Sequence, residues 1–506
     1  MQNDRLPKYT SVHVVSDLHL GGYASATRNF RIFRETDALA WFIRSLARNE
    51  QGRVALVLNG DIVDYLADPA AVYFDWENAV AKLQRAVTDP EQRAVWEALR
   101  DFVESGHGDL VLVLGNHDLE LALPDPQQYL LHFLSDGQHA RRSRVIFATD
   151  GAGFSCRVGD ERVLCVHGNE VDPWNAIDYG RLSLIRRALA RGSKERNHDA
   201  LHGWIPNAGT QMVIDHLNHE KRKYQWLDLL KPEDEATAMI AAAWKSLPGL
   251  KTFAAVMREK GRTAKLLAQG FLSGGDAQHE ERDPMLPIAP DFAAPARAAD
   301  ALIRDALERL GQDAVPAHIA EQEEQQEFLL SFAELQQVAR GAKLRFWPNN
   351  LRDTLRETLA DDKTFEPDTV DDTFRELDVL CAPEIDFLIA GHTHLHRALQ
   401  RTRCSGYYFN SGSWIRLLQV PLAALEDAAF EELRSRLDNG SLEALEQPIA
   451  TSRGPVSLLR PTRTVVTIEQ DERGVSGMLQ TVEPDHGSWQ LRPVDRTRFT
   501  RQRAKA

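Results

Sequence analysis

Seven side chains of the kinds that bind divalent metal ions stand directly after short apolar runs in this sequence. They occur in five motifs: Asp17-Leu18-His19, Gly60-Asp61-Ile62-Val63-Asp64, Gly115-Asn116-His117-Asp118, Val166-His167-Gly168 and Gly391-His392-Thr393-His394. Carboxylate, imidazole and amide oxygen together suit Mn²⁺, Fe or Zn²⁺. The motifs contain no thiolate, which argues against a structural zinc site of the cysteine type. The residue types therefore predict a centre for divalent metal ions.

Two of these motifs carry their metal-binding residues two positions apart. In extended backbone, side chains at positions i and i+2 project to the same face. If this geometry persists at the strand end, Asp17 with His19, and His392 with His394, would each supply a convergent pair of ligands. The neighbouring glycines allow the backbone to turn sharply beside the ions.

The apolar runs that precede the motifs predict buried strands. The runs cover residues 12–15, 54–58, 110–114, 163–166 and 387–390. Continuous runs of this length are typical of strands covered on both faces, and helical periodicity appears between them, at 37–48 and 78–87. The pattern predicts a layered α/β core, in which functional residues gather where strands end.

Between the fourth and fifth motifs the pattern changes to helical periodicity, rich in Ala, Leu, Glu and Arg. We therefore divide the chain into a core at 9–175 and 376–485, a helical insertion at 176–375 and a polar C-terminal tail at 486–506. Within the insertion, 274–295 is rich in Pro, Gly and Asp and predicts a flexible connection. Residues 471–474 predict a hairpin turn, and 496–506 a frayed end.

The composition restricts the class of protein. The chain has 506 residues, 43% of them hydrophobic and 26% charged, as expected of a soluble globular protein. A net charge of -14 repels polyanions, so nucleic-acid binding would need a local basic patch. The four cysteines have no paired spacing, the N-terminus lacks a signal-peptide profile, and no apolar run approaches the roughly 18 residues of a membrane span. These features predict a cytoplasmic protein.

In type and order, the five motifs resemble those of the calcineurin-like metallophosphoesterases. The resemblance implies a β-sandwich flanked by helices and two divalent ions. It implies that one ion is held by Asp17, His19, Asp61 and His394, and the second by Asp61, Asn116, His167 and His392. It further implies that His117 protonates the leaving group, with Asp118 as its orienting partner. For Asp64, a helix-capping or supporting role is the alternative to a direct role in the reaction.

The implied reaction is hydrolysis of a phosphodiester or pyrophosphate bond. Two cations about 3.5–4 Å apart can clamp a phosphoryl group and lower the pKa of a bridging water, whose hydroxide attacks phosphorus in line. The sequence contains no convincing nucleophile elbow or P-loop that would favour a covalent mechanism.

The substrate class follows from a more local resemblance. The segments 16–21 and 59–64 are similar to those of bacterial UDP-diacylglucosamine pyrophosphatases, which suggests a phosphorylated small-molecule, nucleotide or lipid-linked substrate. Two features depart from those enzymes: His117 stands where they usually carry Arg, and the insertion is far longer than their lid. We therefore favour a broader phosphodiester or pyrophosphate hydrolase.

Two alternatives stay open at this point. A nuclease or cyclic-nucleotide phosphodiesterase could use the basic segments 181–191 and 251–265, with nearby aromatic residues to stack on bases. The aromatic residues are Trp174, Tyr179 and Trp204, for which core packing is the competing interpretation. A non-catalytic scaffold could retain the fold, although the full ligand set argues against it.

Overall fold

The computed structural model describes residues 6–25, 29–48, 52–68, 70–192, 204–229 and 362–502, together with Lys231, Arg352, Arg356 and Leu359. Contacts divide the chain into two compact units. The first unit is Met1–Pro206, Lys363–Leu417 and Leu459–Ala506, and the second is Asn207–Asp362 and Leu418–Leu458. The second unit thus includes 418–458, which the sequence-based division placed in the core. The predicted flexible connection at 274–295 and the basic segment 251–265 lie outside the described residues.

The strands are numbered along the chain. They are β1 (Lys8–Tyr9), β2 (Ser11–Val15), β3 (Leu20–Gly21), β4 (Val54–Asn59), β5 (Val63–Asp64), β6 (Gly108–Val113), β7 (Val145–Ala148), β8 (Phe154–Val158), β9 (Glu161–Cys165), β10 (Phe387–Ala390), β11 (His396–Gln400), β12 (Tyr407–Ser411), β13 (Arg416–Leu418), β14 (Ile449–Thr451), β15 (Gly454–Val456), β16 (Leu459–Pro461), β17 (Thr464–Asp471), β18 (Gly474–Asp485), β19 (Ser488–Pro493) and β20 (Phe499–Gln502).

The α-helices of the described residues are numbered in the same way. They are α1 (Thr36–Ala47), α2 (Ala79–Thr88), α3 (Arg93–Ser105), α4 (Pro124–Ser135), α5 (His139–Arg142), α6 (Tyr179–Ala190), α7 (Ala208–Met212), α8 (Asn218–Lys221), α9 (Asp372–Leu380), α10 (Asp427–Asn439) and α11 (Leu442–Glu446). Short 3₁₀ turns follow two of the site motifs, at Leu119–Ala122 and Asn169–Val171.

The first unit is built on two sheets. The larger has the order β19-β18-β17-β2-β4-β6-β7, with β20 also paired to β18, and the smaller has the order β1-β8-β9-β10-β12-β11. In the larger sheet β2, β4, β6 and β7 are parallel, so their carboxyl ends share one edge. In the smaller sheet β9, β10 and β12 are parallel as well. The strand ends that precede the site motifs therefore lie at defined sheet edges.

Side-chain alternation separates the layers. Along β4, Leu56 and Leu58 belong to the apolar cluster that includes α1 to α4. The alternate residues Ala55 and Val57 belong to a second cluster, which joins the larger sheet to the smaller one through residues such as Phe387. A third cluster packs α9 on the smaller sheet. These clusters confirm the predicted layered α/β fold, a β-sandwich with helices on both outer faces.

The C-terminal end differs from the expectation. The hairpin predicted at 471–474 is confirmed, since β17 ends at Asp471 and β18 begins at Gly474. The prediction of a frayed end at 496–506, however, is wrong for the described residues up to 502, because β20 pairs with β18. In β20 the ring of Phe499 stacks on Tyr407 at 4.6 Å between centroids. Ladder hydrogen bonds and this apolar contact order a segment whose composition is polar.

The described part of the second unit is small and mainly helical. Trp226 is 1% exposed, and its indole N–H donates to the Leu437 carbonyl at 3.1 Å. This contact ties the segment after α8 to α10, and a hairpin of β14 and β15 completes the described part. Among the helices described in either unit, none is both long and apolar enough to cross a bilayer.

The burial of His13 in β2 can be tested by measuring how the free energy of unfolding changes between pH 4 and 6.5. Burial lowers the pKa of His13 to about 4, so the folded protein binds fewer protons than the unfolded chain across this window. Stability should therefore fall as the pH drops below 6.5, by up to about 1.4 kcal/mol per pH unit for this one group. His13→Gln should flatten the dependence measured by urea unfolding at pH 5 and 7.

His132→Gln, at an exposed position of α4, is the matched control and should keep the wild-type slope. A His13→Gln protein with the unchanged slope would show that His13 does not contribute to acid unfolding.

Candidate metal centre

The ends of four strands meet at one place in the first unit. The Asn59 side-chain amide, at the end of β4, donates to the Val166 carbonyl after β9 at 2.7 Å. The backbone N–H of His392, after β10, donates to Asp17 Oδ2, after β2, at 3.0 Å. The N–H of Asp17 in turn donates to the Gly60 carbonyl at 3.1 Å. These bonds join the carboxyl ends of strands from both sheets.

The first ligand group consists of Asp17, His19, Asp61 and His394, each with a possible ligand atom within 4.8 Å of the others. The Nε2 atoms of His19 and His394 are 3.2 Å apart, and His394 Nε2 lies 3.4 Å from Asp17 Oδ1. His19 Nδ1 contacts Asp64 Oδ2 at 3.3 Å. Because a carboxylate accepts, Nδ1 donates there and His19 Nε2 carries the lone pair.

The second group consists of Asp61, His167 and His392, so Asp61 belongs to both. His167 Nδ1 donates to the Asn59 carbonyl at 2.8 Å, which leaves the Nε2 lone pair directed to the interior, 3.3 Å from Asp61 Oδ2. Asn116 adjoins this group, and its side-chain amide nitrogen donates to Asn175 Oδ1 at 3.3 Å.

Three buried atoms test whether this donor set fits metal ions. Asp17 Oδ1, Asn116 Oδ1 and His167 Nε2 are buried and make no hydrogen bond within the protein. Buried polar atoms are almost always hydrogen-bonded, so each exception calls for an explanation. All three are lone-pair atoms of ligand types, and two of them belong to the clustered groups. Two divalent cations would satisfy them, and the residues therefore fit such ions.

The backbone of the residues in these two groups is unusual. Five of them have positive φ angles: Asp17 (52°), His19 (48°), Asp61 (52°), His392 (71°) and His394 (61°). Non-glycine residues rarely adopt this region, and such strain concentrates at functional sites. The pairs therefore do not converge by persistence of extended geometry, as the sequence led us to expect. Left-handed turns after the strand ends bring the side chains together.

Burial and the close contact of carboxylates with imidazoles shift the pKa values of the site residues. Burial, together with the charge of Asp61, raises the pKa of Asp17. Burial also acts to raise the pKa of Asp61, but the charges of His167 and His117 outweigh it and hold that pKa well below its usual range. Burial acts to lower the pKa of His167, yet the Asp61 charge raises it to about 10. A cation in the site would replace these protons as the partner of the carboxylates.

The structure corrects the role predicted for Asp118. Its carboxylate is fully buried and accepts from the backbone N–H groups of Ile62 at 2.6 Å and Gly115 at 2.7 Å. The carboxylate in contact with His117 Nδ1 is that of Asp64, at 3.2 Å. Asp118 thus joins two ligand-bearing loops, because its position before the 3₁₀ turn directs its side chain inward, and Asp64 orients His117.

Among the described residues, the remaining sequence candidates do not belong to the groups that could hold a metal ion. Tyr179 packs against the main apolar cluster, and Trp204 packs on Phe74 with ring centroids 4.8 Å apart. Arg186 and Arg187 are exposed on α6. The sequence analysis did not single out Asp172, whose Oδ2 lies 2.8 Å from His392 Nε2.

A matched pair of glycine substitutions tests the packing around His167. Gly60 has a φ of +87°, and a Cβ there would overlap the His167 ring, whereas Gly487 has a φ of +84° and open space around it. Gly487→Ala should therefore show only the backbone cost, about 1–2 kcal/mol. Gly60→Ala should cost more and lose bound Mn²⁺, measured by thermal denaturation and elemental analysis. Equal effects of the two substitutions would contradict this packing.

Comparison with known proteins agrees with the geometry. Residues 10–241 match the family model described as calcineurin-like phosphoesterase. No curated protein shows significant similarity to the chain. The matched residues include the first four motifs, and the structure adds the fifth, with His392 and His394, to the same place. Residues 10–241 therefore resemble the calcineurin-like phosphoesterase family, whose members are metal-dependent phosphoesterases.

Proposed function

We propose that this protein is a di-metal-dependent hydrolase of phosphodiester or pyrophosphate bonds. The observation that carries the proposal is the pair of ligand groups that share Asp61, in which Asp17 Oδ1 and His167 Nε2 are buried without a hydrogen-bond partner. Two divalent ions, with Mn²⁺ as first choice and Fe or Zn²⁺ as alternatives, would supply Lewis acidity and an activated water.

The proposed ligands divide between two ions. Asp17, His19 and His394 would hold the first, Asn116, His167 and His392 the second, and Asp61 would bridge them. The support for Asp61 as the bridge is its burial and its contacts. It is 1% exposed, its Oδ1 accepts from the His117 N–H at 2.9 Å, and its Oδ2 lies 3.3 Å from His167 Nε2 and 3.8 Å from His19 Nε2.

His117 has the properties of a proton donor to the leaving group. Its side chain is 21% exposed, compared with 13% for His394 and 12% for His392, so it can meet a bound substrate. Asp64 Oδ1, at 3.2 Å from Nδ1, orients the ring and stabilises the imidazolium. In that form Nε2 carries a proton, which passes to the departing oxygen as the bond to phosphorus breaks.

We infer the substrate class from the reaction chemistry of the site and not from a binding pocket specific for one molecule. A phosphodiester or pyrophosphate has a leaving group that benefits from protonation by His117. Among the described residues, the exposed Arg186, Arg187 and Arg191 of the α6 region would suit a nucleic acid. Turnover of bis-p-nitrophenyl phosphate, p-nitrophenyl phosphate, nucleotides and nucleic acids with Mn²⁺ distinguishes these classes. Bound metal without turnover of any of them would indicate a scaffold.

Asp61→Asn tests the bridging position. The substitution removes the charge and leaves one oxygen to serve two ions, so bound Mn²⁺ and turnover of bis-p-nitrophenyl phosphate should both fall. Removal of an outer-shell partner typically costs 10–100-fold in affinity or activity, and loss of a shared ligand should cost at least about 10²-fold. Asp160→Asn, in an exposed turn, is the control. A wild-type rate with Asp61→Asn would remove Asp61 from the mechanism.

His117→Ala tests the proton donor with paired substrates. The variant should keep its metal, because the adjacent Asn116 occupies the ligand position. Turnover should fall by roughly 10²–10⁴-fold for leaving groups that are basic alkoxides. The loss should be slight for p-nitrophenolate, which departs without a proton. Metal content is checked by elemental analysis.

His132→Ala, at an exposed position of α4, is the control for loss of an imidazole elsewhere. Equal losses on both substrates, or loss of bound metal, would show instead that His117 orients the phosphate or supports a ligand.

A further inference from the structure

A chain of hydrogen bonds connects two of the proposed ligands of the second ion. Asn116 Nδ2 donates to Asn175 Oδ1 at 3.3 Å, and Asn175 Nδ2 donates to Asp172 Oδ2 at 2.6 Å. The same Asp172 oxygen lies 2.8 Å from His392 Nε2. Asp172 and Asn175 thus link residues that follow β6 and β10 to the loop that begins with His167.

This loop is held in one conformation by its own hydrogen bonds. Asp172 Oδ1 accepts from the Trp174 N–H at 2.9 Å, and the Asp172 carbonyl accepts from the Asn175 N–H at 3.0 Å. The buried side chain of Asn169 donates to the Asn175 carbonyl at 3.0 Å. Both Asp172 and Asn175 are therefore fixed relative to the backbone that carries His167.

The hydrogen bonds also select which atom each ligand can offer. A carboxylate accepts, so His392 Nε2 donates to Asp172 and the lone pair is on Nδ1. The Asn116 amide nitrogen is engaged by Asn175, which directs the other atom, Oδ1, away from Asn175. That oxygen is one of the buried atoms without a hydrogen-bond partner. The metal-facing atoms of both residues are therefore chosen by Asp172 and Asn175.

We infer that Asp172 and Asn175 are positioning residues, which orient Asn116 and His392 and thereby set the affinity of the second ion. The inference rests on the proposed function. Neither residue binds the ion itself. Partners that orient metal ligands in this way typically account for 10–100-fold in metal affinity.

Direct Mn²⁺ binding to metal-free protein tests the inference without an activity measurement. Isothermal titration should show two binding steps for the wild type. In Asp172→Asn and in Asn175→Ala, one step should weaken by roughly 10–100-fold while the other is retained. Thermal midpoints of the metal-free variants should match the wild type, since the effect is on the metal.

Double variants show which ion is affected. Asp172→Asn should add little to the loss of Mn²⁺ affinity caused by Asn116→Ala, because both substitutions weaken the binding step of the second ion. It should add fully to Asp64→Asn, since Asp64 contacts His19 in the first ligand group, 3.3 Å from its Nδ1. The opposite pattern would overturn the assignment to the second ion.

The outcomes separate this inference from the proposed function. Two unchanged steps in both single variants overturn the inference and leave the hydrolase proposal intact, whereas a wild type that binds no Mn²⁺ overturns both. Loss of both binding steps together with a lowered thermal midpoint would show that Asp172 and Asn175 support the fold, which also overturns the inference. If Asp172→Asn does not fold, Asn175→Ala, which removes only the contact to Asn116 and one bond to Asp172, decides by the same criteria.

Discussion

One electrostatic constraint dominates the site in the first unit, because two carboxylates with almost no exposed surface lie close together. Asp17 and Asp61 are 0% and 1% exposed and influence each other's ionisation. Without a counter-charge, burying two such groups side by side is strongly unfavourable. Imidazoles surround them, yet lone-pair atoms of the same residues stay without hydrogen bonds. Divalent cations would resolve both the repulsion and the missing contacts.

The fold holds these side chains together by keeping several residues in unfavourable backbone conformations. Five proposed ligands have left-handed backbone conformations, each of which costs of order 1–3 kcal/mol. Such conformations persist because the surroundings determine them. The parallel register of β2, β4 and β6 sets the strand ends, Gly60 leaves space for the His167 ring, and Gly115 leaves space for the Asp61 carboxylate. The apolar clusters on both faces of the larger sheet offset the local strain.

Carboxylates outside the ligand groups have separate tasks. Asp118 joins the loops of Asp61 and Asn116 through backbone amides, and Asp64 lies between His19 and His117. Asp172 Oδ2 contacts His392 Nε2 at 2.8 Å. Burial, helped by the Asp61 charge, raises the pKa of Asp118 to about 7, which reflects the cost of a carboxylate that has only backbone donors. The acidic residues near the site therefore divide into two kinds. Asp17 and Asp61 belong to the two groups that could hold metal ions, whereas the others contact neighbouring histidines or backbone amides.

The sequence by itself determined the fold class, the ends of the buried strands and the types of side chain that gather there. These properties are local, because apolar runs and the residues that follow them are read along a few consecutive positions. It also determined the hairpin at 471–474, whose turn is a local signal.

Only the tertiary structure decided which carboxylate serves which histidine, because those contacts join distant parts of the chain. Asp64 and His117 are 53 positions apart, and Asp172 and His392 are 220 positions apart. The family resemblance implied Asp118 as the partner of His117, but the Asp118 carboxylate accepts hydrogen bonds from the backbone amides of Ile62 and Gly115. The strands β19 and β20 were not predicted from the sequence for the same reason. They are ordered by pairing with β18 and by the contact of Phe499 with Tyr407, and not by their own composition.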